Sequence, residues 1–357
     1  MEAVYRDYGP QNVKFYFIYK TLAHPELAGN YVQPFMLAER LTHARQAEKQ
    51  LGATIPWIVD ASDNRLKHAL GDRPNSEFIV NPEGIIVRKR AWSHPAQVRR
   101  DLEELIGPVD HVTREEDVHL KLALPIKAPA PRGTLPRLNR PEIQPIVMEP
   151  KIEIDGPPFF AKLRAEADAD LLEHGTGQLY LGFHLDPFHN GHWNNLTPPL
   201  SFALHAGDAV KLDTTTGTAP KVDAVSDSDP REFLLKVRSW PVAQPIRLTV
   251  TYFACVGEAS CHTVKQEYVL FRKRDPDGGG ARGEGAGYWD PKDFAKRMLA
   301  GDTDKDGRIV KSEAAGIVLP HFEKLDANHD GFLNLKELQV ISDWLNSHHQ
   351  PAPPSQR

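Results

Sequence analysis

Two stretches near the carboxyl end decide the reading of this chain: DTDKDGRIVKSE at residues 302–313 and DANHDGFLNLKE at residues 326–337. Both have twelve residues and the same grammar. Oxygen-bearing side chains stand at positions one, three and five: Asp302, Asp304 and Asp306, then Asp326, Asn328 and Asp330. Glycine holds position six as Gly307 and Gly331, and glutamate closes each loop as Glu313 and Glu337. Position seven contributes only its backbone carbonyl, so Arg308 and Phe332 are both admissible there. Such spacing curls a chain around a point and turns oxygens inward, which suits a hard cation of six to eight ligands. Glycine takes the sharp turn that a Cβ would obstruct.

Every fixed position matches the EF-hand pattern, so the two loops resemble an EF-hand pair, and the resemblance implies two bound Ca2+ ions. Position nine differs between them. Asn334 reaches an ion directly or through water, whereas Val310 leaves that place to water. The first loop carries four carboxylates and the second three. Ile309 and Leu333 occupy position eight, where paired EF-hands form a short β-bridge. Flanking helices are expected around Phe294 and Met298, Phe322 and Leu325, and Leu338, Ile341 and Leu345. The stretch from Glu313 to Asp326 is short and contains Pro320. That compactness resembles EF-hand pairs of bacterial envelope proteins and argues for a structural site over a calmodulin-like switch.

Outward from the loops, the chain reads as several parts. With 357 residues it is long enough for two or three domains. The expected boundaries are an α/β domain over 1–115, a proline-rich linker over 116–155, a β-sandwich over 156–274, a glycine-rich linker over 275–288, the paired loops over 289–349 and a disordered tail over 350–357. DPDG at 275–278 starts like a calcium loop but lacks the closing acid, so it reads as flexible linker. A net charge of −5 gives no basic bias towards nucleic acid. No apolar run approaches the length needed to cross a bilayer. Met1–Gln11 has no signal-peptide apolar region, which taken literally predicts a cytoplasmic protein.

In the first part, VKFYFIY (13–19), a helix over 36–51, PWIV (56–59), a hairpin turning at Asn81–Gly84 and a helix over 95–106 follow an α/β order. Residues 13–27, residues 55–92 and the closing helix resemble a thioredoxin-like fold of the iodothyronine deiodinase-like and redoxin branch. Leu22-Ala23-His24-Pro25 stands where deiodinases carry Glu-Ala-His-Pro. Members of that branch carry a nucleophilic cysteine or selenocysteine upstream of this motif, and no cysteine precedes Cys255. The resemblance therefore implies a catalytically silent domain, or a true start upstream of Met1 that also carries a signal; the second is the expectation taken here. His24 is either a relic of a site or a loop histidine. Arg88, Lys89, Arg90, Arg99 and Arg100 read as a solvated basic face.

The middle part has short strand-like runs separated by turns, as a β-sandwich should. Only Ala161–Glu173 shows helical period. YFACVGEASCHTVKQEYVLF (252–271) places Cys255 and Cys261 across a strand-turn-strand, within reach of a disulfide. This segment and residues 177–196 resemble the amino-terminal immunoglobulin-like domain of the bacterial thiol:disulfide interchange reductase. Three readings of the pair stay open: a static staple, a redox-active pair with a redox or envelope protein partner, and a soft-metal site using Cys255, Cys261, His262, His184, His189 and His192. The expectation for the whole is a calcium-binding envelope protein, periplasmic or extracellular. The alternatives are a thiol–disulfide oxidoreductase and a non-enzymatic interaction module.

Overall fold

The computed structural model describes residues 1–23, 25, 31–71, 73–121, 133–138, 143–153, 158–257, 260–278, 299, 302–304, 306–314, 318–319 and 322–340. His24, Phe294, Met298, Pro320, Ile341, Leu345, most of both expected linkers and the tail lie outside these residues. The chain forms two compact units, Met1–Glu284 and Gly285–Arg357.

The larger unit opens with α1 (Glu2–Tyr8), β1 (Phe17–Tyr19), α2 (Leu37–Leu51) and β2 (Trp57–Val59). β1 and β2 run parallel, with Phe17 opposite Trp57 and Tyr19 opposite Val59. Parallel neighbours need a crossover, and α2 lies within it. Then come α3 (Arg65–Leu70), β3 (Glu77–Val80), β4 (Ile86–Arg90) and α4 (Pro95–Ile106). β3 and β4 form the expected antiparallel hairpin, closed where the Asn81 amide donates to the Ile85 carbonyl at 2.9 Å. α4 starts on a proline, which loses nothing at a helix N-terminus. It buries Val98 and Leu102 against Val4 and Tyr8 of α1.

The basic face is solvated only in part: Lys89 and Arg100 are exposed as expected, but its other three arginines are paired. Arg90 pairs with Glu77 and Asp101, Arg88 with Asp101 and Glu104, and Arg99 with Asp7. Carboxylates from α1, β3 and α4 stand within reach of these three arginines, so they tie the α/β part together.

Next are β5 (Gln144–Pro150), β6 (Ala161–Ala167), α5 (Ala169–His174), β7 (Gly177–Leu185), β8 (Gly191–Asn194), β9 (Ser201–His205) and β10 (Lys211–Leu212). After them come β11 (Thr216–Thr218), β12 (Ser226–Asp227), β13 (Arg231–Ser239), β14 (Ile246–Val256) and β15 (Ser260–Arg274). These strands make one large curled sheet in the order β10-β13-β7-β6-β5-β15-β14-β8-β12, with β9 also on β14 and β11 on β9. β5 turns the corner: Gln144 and Pro145 pair with β6, while Met148–Pro150 pair with β15. Both halves feed one core, where Phe183, Phe233 and Phe202 meet edge to face.

Ala161–Ala167, expected as helix, is a strand buried along its whole length. Only Ala169–His174 is helical, started by Asp168, whose side chain accepts from the Leu171 amide. Alanine, lysine and glutamate favour helices locally, but AKLRAEA also alternates strictly, and tertiary pairing selects the period of two. Ala161, Leu163, Ala165 and Ala167 enter the core. Lys162, Arg164 and Glu166 point the other way, yet each is at most 6% exposed.

The cover over that charged face comes from the α/β part and from residues 275–278. Lys162 Nζ lies 2.7 Å from Asp186 Oδ2 and 2.9 Å from Glu39 Oε1 of α2. Arg164 pairs with Glu166 at 2.6 Å and donates to the Gly278 carbonyl at 2.9 Å. Asp277 accepts from Asn64 at 2.8 Å and is also held by Lys67 and His68 of α3. The start of the glycine-rich segment is thus clasped, in contrast to the flexible linker expected there. Part of the proline-rich segment is anchored too: Asp229 accepts from the amides of Gly133, Thr134 and Leu135.

The smaller unit contains β16 (Ile309–Val310), α6 (Phe322–Leu325), β17 (Phe332–Leu333) and a helix over 335–340. Ile309, Val318, Phe322, Leu333 and Leu338 form its core.

Candidate metal centre

The two acidic loops fold as near copies. Asp302 Oδ2 accepts from the Gly307 amide at 2.8 Å, and Asp326 Oδ2 accepts from Gly331 at 2.9 Å. Asp306 Oδ1 accepts from the Arg308 amide at 2.8 Å, and Asp330 Oδ1 from Phe332 at 2.9 Å. The closing acids reach back in the same way: Glu313 Oε2 accepts from Val310 at 3.1 Å and Glu337 Oε2 from Asn334 at 3.0 Å. Gly307 and Gly331 have φ of +84° and +82°. Nothing crowds either Cα, so the left-handed backbone alone calls for glycine.

β16 and β17 pair antiparallel, with Ile309 opposite Leu333 and Val310 opposite Phe332. Both position-eight side chains are buried there. The Arg308 guanidinium sits over the Phe332 ring, 5.4 Å from its centre. One loop is therefore held to the other through backbone, core and surface contacts.

The loops differ in detail. Asp302, Asp304 and Glu313 each bring a carboxylate oxygen within 4.8 Å of the others. Mutual repulsion is felt at Asp304. A hydrogen bond from the Asp306 amide pulls its pKa down, but burial, the Asp302 side chain and the charges of Asp306 and Glu313 outweigh it and leave the carboxyl above its ordinary value. In the second loop Asn328 donates to Asp330 at 2.8 Å. Asn334 Oδ1 accepts from the Lys336 and Glu337 amides at 2.9 and 3.2 Å, capping the helix that follows. Those two bonds fix the start of the helix that carries Glu337.

Cys255 and Cys261 are joined in a disulfide. They are directly opposed on β14 and β15, as the hairpin reading expected. Cys255 is buried and Cys261 is exposed. The six histidine and cysteine residues weighed from sequence are not all gathered into one place: only His192 stands in register with the two cysteines. His262 stacks on Phe160 and bonds Ser260; His189 lies beside Glu39 and Asp186; His184 is buried on β7.

Sequence reasoning missed the Lys162, Glu39 and Asp186 cluster. Its signal was the alternation of 161–167, with three charged residues on one strand face. Glu39, Asp186 and His189 have ligand spacing among themselves, but the Lys162 ammonium already fills the position between both carboxylates. Burial pushes the nearby His43 imidazole down to about 4, and lowers His189 as well.

A family model described as EF hand matches residues 321–342, which span the second loop. No curated protein and no solved structure matches the chain. The fold and site thus define a multidomain chain with an α/β part, a large curled sheet, one disulfide and a calcium-binding type of motif. Among the described residues no helix is long and apolar enough to cross a membrane.

Proposed function

We propose that the carboxyl-terminal unit is a compact EF-hand pair that holds two Ca2+ ions as structural elements. Asp302, Asp304, Asp306, the Arg308 carbonyl and Glu313 serve one ion. Asp326, Asn328, Asp330, the Phe332 carbonyl, Glu337 and Asn334, through water, serve the other. The observation that carries this reading is the repeated hydrogen-bond pattern of two loops joined by the Ile309–Leu333 bridge. Calcium supplies the positive charge that offsets the carboxylate repulsion felt at Asp304. The donors are all hard oxygens, as that ion prefers. A constitutively filled site fits an envelope or extracellular setting, and the α/β part has the element order of a thioredoxin-like scaffold, with no cysteine in residues 1–115.

Calorimetric titration of the full chain should show two calcium sites. Asp302→Ala with Asp326→Ala should abolish the heat, with urea unfolding of the larger unit unchanged. Undiminished heat in that double variant would refute the assignment.

A second reading is favoured by the disulfide. Cys261 offers an exposed sulfur on a cross-strand bridge, the access that thiol–disulfide exchange with a partner's dithiol requires. Dithiothreitol should then open the bridge in the folded protein and yield two free thiols per chain; a bridge that opens only after unfolding is a static staple.

A further inference from the structure

Three neighbouring strands set the chemistry beside the disulfide. On β14, Cys255 is opposite His192 of β8 on one side and Cys261 of β15 on the other. Directly opposed residues of an antiparallel sheet project to one face, with Cβ atoms about 4.5–5.5 Å apart. Leu248, Val250, Tyr252 and Ala254 fill the core, so the row His192, Cys255 and Cys261 stands on the opposite face. The next row, Trp193, Ala254 and His262, takes the other face, where His262 stacks on Phe160, which removes His262 from the set. Asn194 follows His192 by two residues and shares its face. Its Nδ2 lies 3.8 Å from Cys261 Sγ, so β8 side chains do reach across β14 to the sulfurs.

We propose that the reduced form of this row binds one soft monovalent cation, Cu(I), through Cys255, Cys261 and His192. The proposal rests on the exchange reading above. A partner dithiol gives two electrons and two protons to the Cys255–Cys261 bond and leaves as its own disulfide. Both sulfurs are then thiols, and cation binding releases their two protons. A metal about 2.3 Å from each sulfur, the distance typical of zinc thiolates, stands over the pair. The His192 imidazole joins by turning about its side-chain bonds. Three soft or borderline ligands suit Cu(I), whereas a closed zinc site calls for a fourth. In the disulfide form neither sulfur carries the charge that binds the ion. The acidic loops offer only hard oxygens and are no competitor when calcium is present.

The test uses the full chain with calcium present and oxygen excluded. A phosphine reductant opens the bridge and is removed before titration, and free thiols are counted. Cu(I) is then partitioned between the protein and a chromophoric chelator. The reduced chain should withdraw one Cu(I) and the oxidised chain none. Cys255→Ser with Cys261→Ser should abolish uptake, and His192→Ala should weaken it about tenfold or more. X-ray absorption should show two sulfurs and one nitrogen on copper. Equal competition by reduced and oxidised protein, with two thiols counted, overturns the proposal and leaves exchange standing. Unchanged affinity in His192→Ala overturns the three-ligand site. The exchange reading is scored apart, by whether dithiothreitol alone yields thiols.

Discussion

The acidic loops and the disulfide row are both sets of ligand-type side chains, but they are assembled in opposite ways. Each loop gathers its oxygens from twelve consecutive residues, and the amides of Gly307, Arg308, Gly331 and Phe332 donate to aspartates five positions away or fewer. The row takes His192, Cys255 and Cys261 from three strands, and its geometry exists only when the sheet has closed. A local site tolerates damage elsewhere. A non-local one inherits the stability of the whole unit. The two should therefore respond independently to substitution.

The largest separation should come from Lys162→Met. This change leaves Asp186, which is 1% exposed, and Glu39 without their shared cation. Breaking a buried ion pair on one side costs about 3–5 kcal/mol. Urea unfolding of the larger unit should shift by that amount while calcium titration of the loops stays as it was. A matching loss of calcium binding would break the distinction between local and non-local sites.

Acid should act on the same interface. His43 bonds Tyr19 at 2.7 Å and stacks on Phe188, and burial holds its pKa at about 4. Its charged neighbours are Asp186, Lys162 and Glu39. The unfolded chain binds the proton first, near the ordinary histidine value, so stability falls as pH drops from about 6.5 to about 4. This one group accounts for a loss of about 3 kcal/mol over that interval. Urea midpoints across the range should show a shallower slope in His43→Phe.

The smallest effect is aimed at a loop. Gly331→Ala forces an alanine to φ near +82°, at a cost of about 1–2 kcal/mol. Calorimetry should show the second calcium site weakened by about tenfold and the larger unit's unfolding unmoved. An equal loss at both sites would mean that the Ile309–Leu333 bridge couples them.

What was legible follows the same line. Pro95–Ile106 forms a helix with the bounds read from its pattern, because a proline start and an apolar stripe are local signals. The Asn81–Gly84 turn and the pairing of Cys255 with Cys261 needed only a hairpin. Ala161–Ala167 misled because its residue types favour a helix while its alternation favours a strand. The choice was made by β7, which pairs along its full length. Arg88, Arg90 and Arg99 read as solvated because their acidic partners come from α1, β3 and α4.

By itself the sequence determined the two twelve-residue loops, with each oxygen, glycine and closing acid in place, since a curled loop depends on short-range backbone geometry. Only the tertiary structure decided that Lys162, Arg164 and Glu166 would lie buried, that Asp277 would be clasped by α3 and that His192 would stand beside the cysteines. Those placements depend on strand register and on which surface packs over which. A hairpin turn fixes the register of its own two strands, but the strands and surfaces that make these placements are far apart along the chain and no turn joins them.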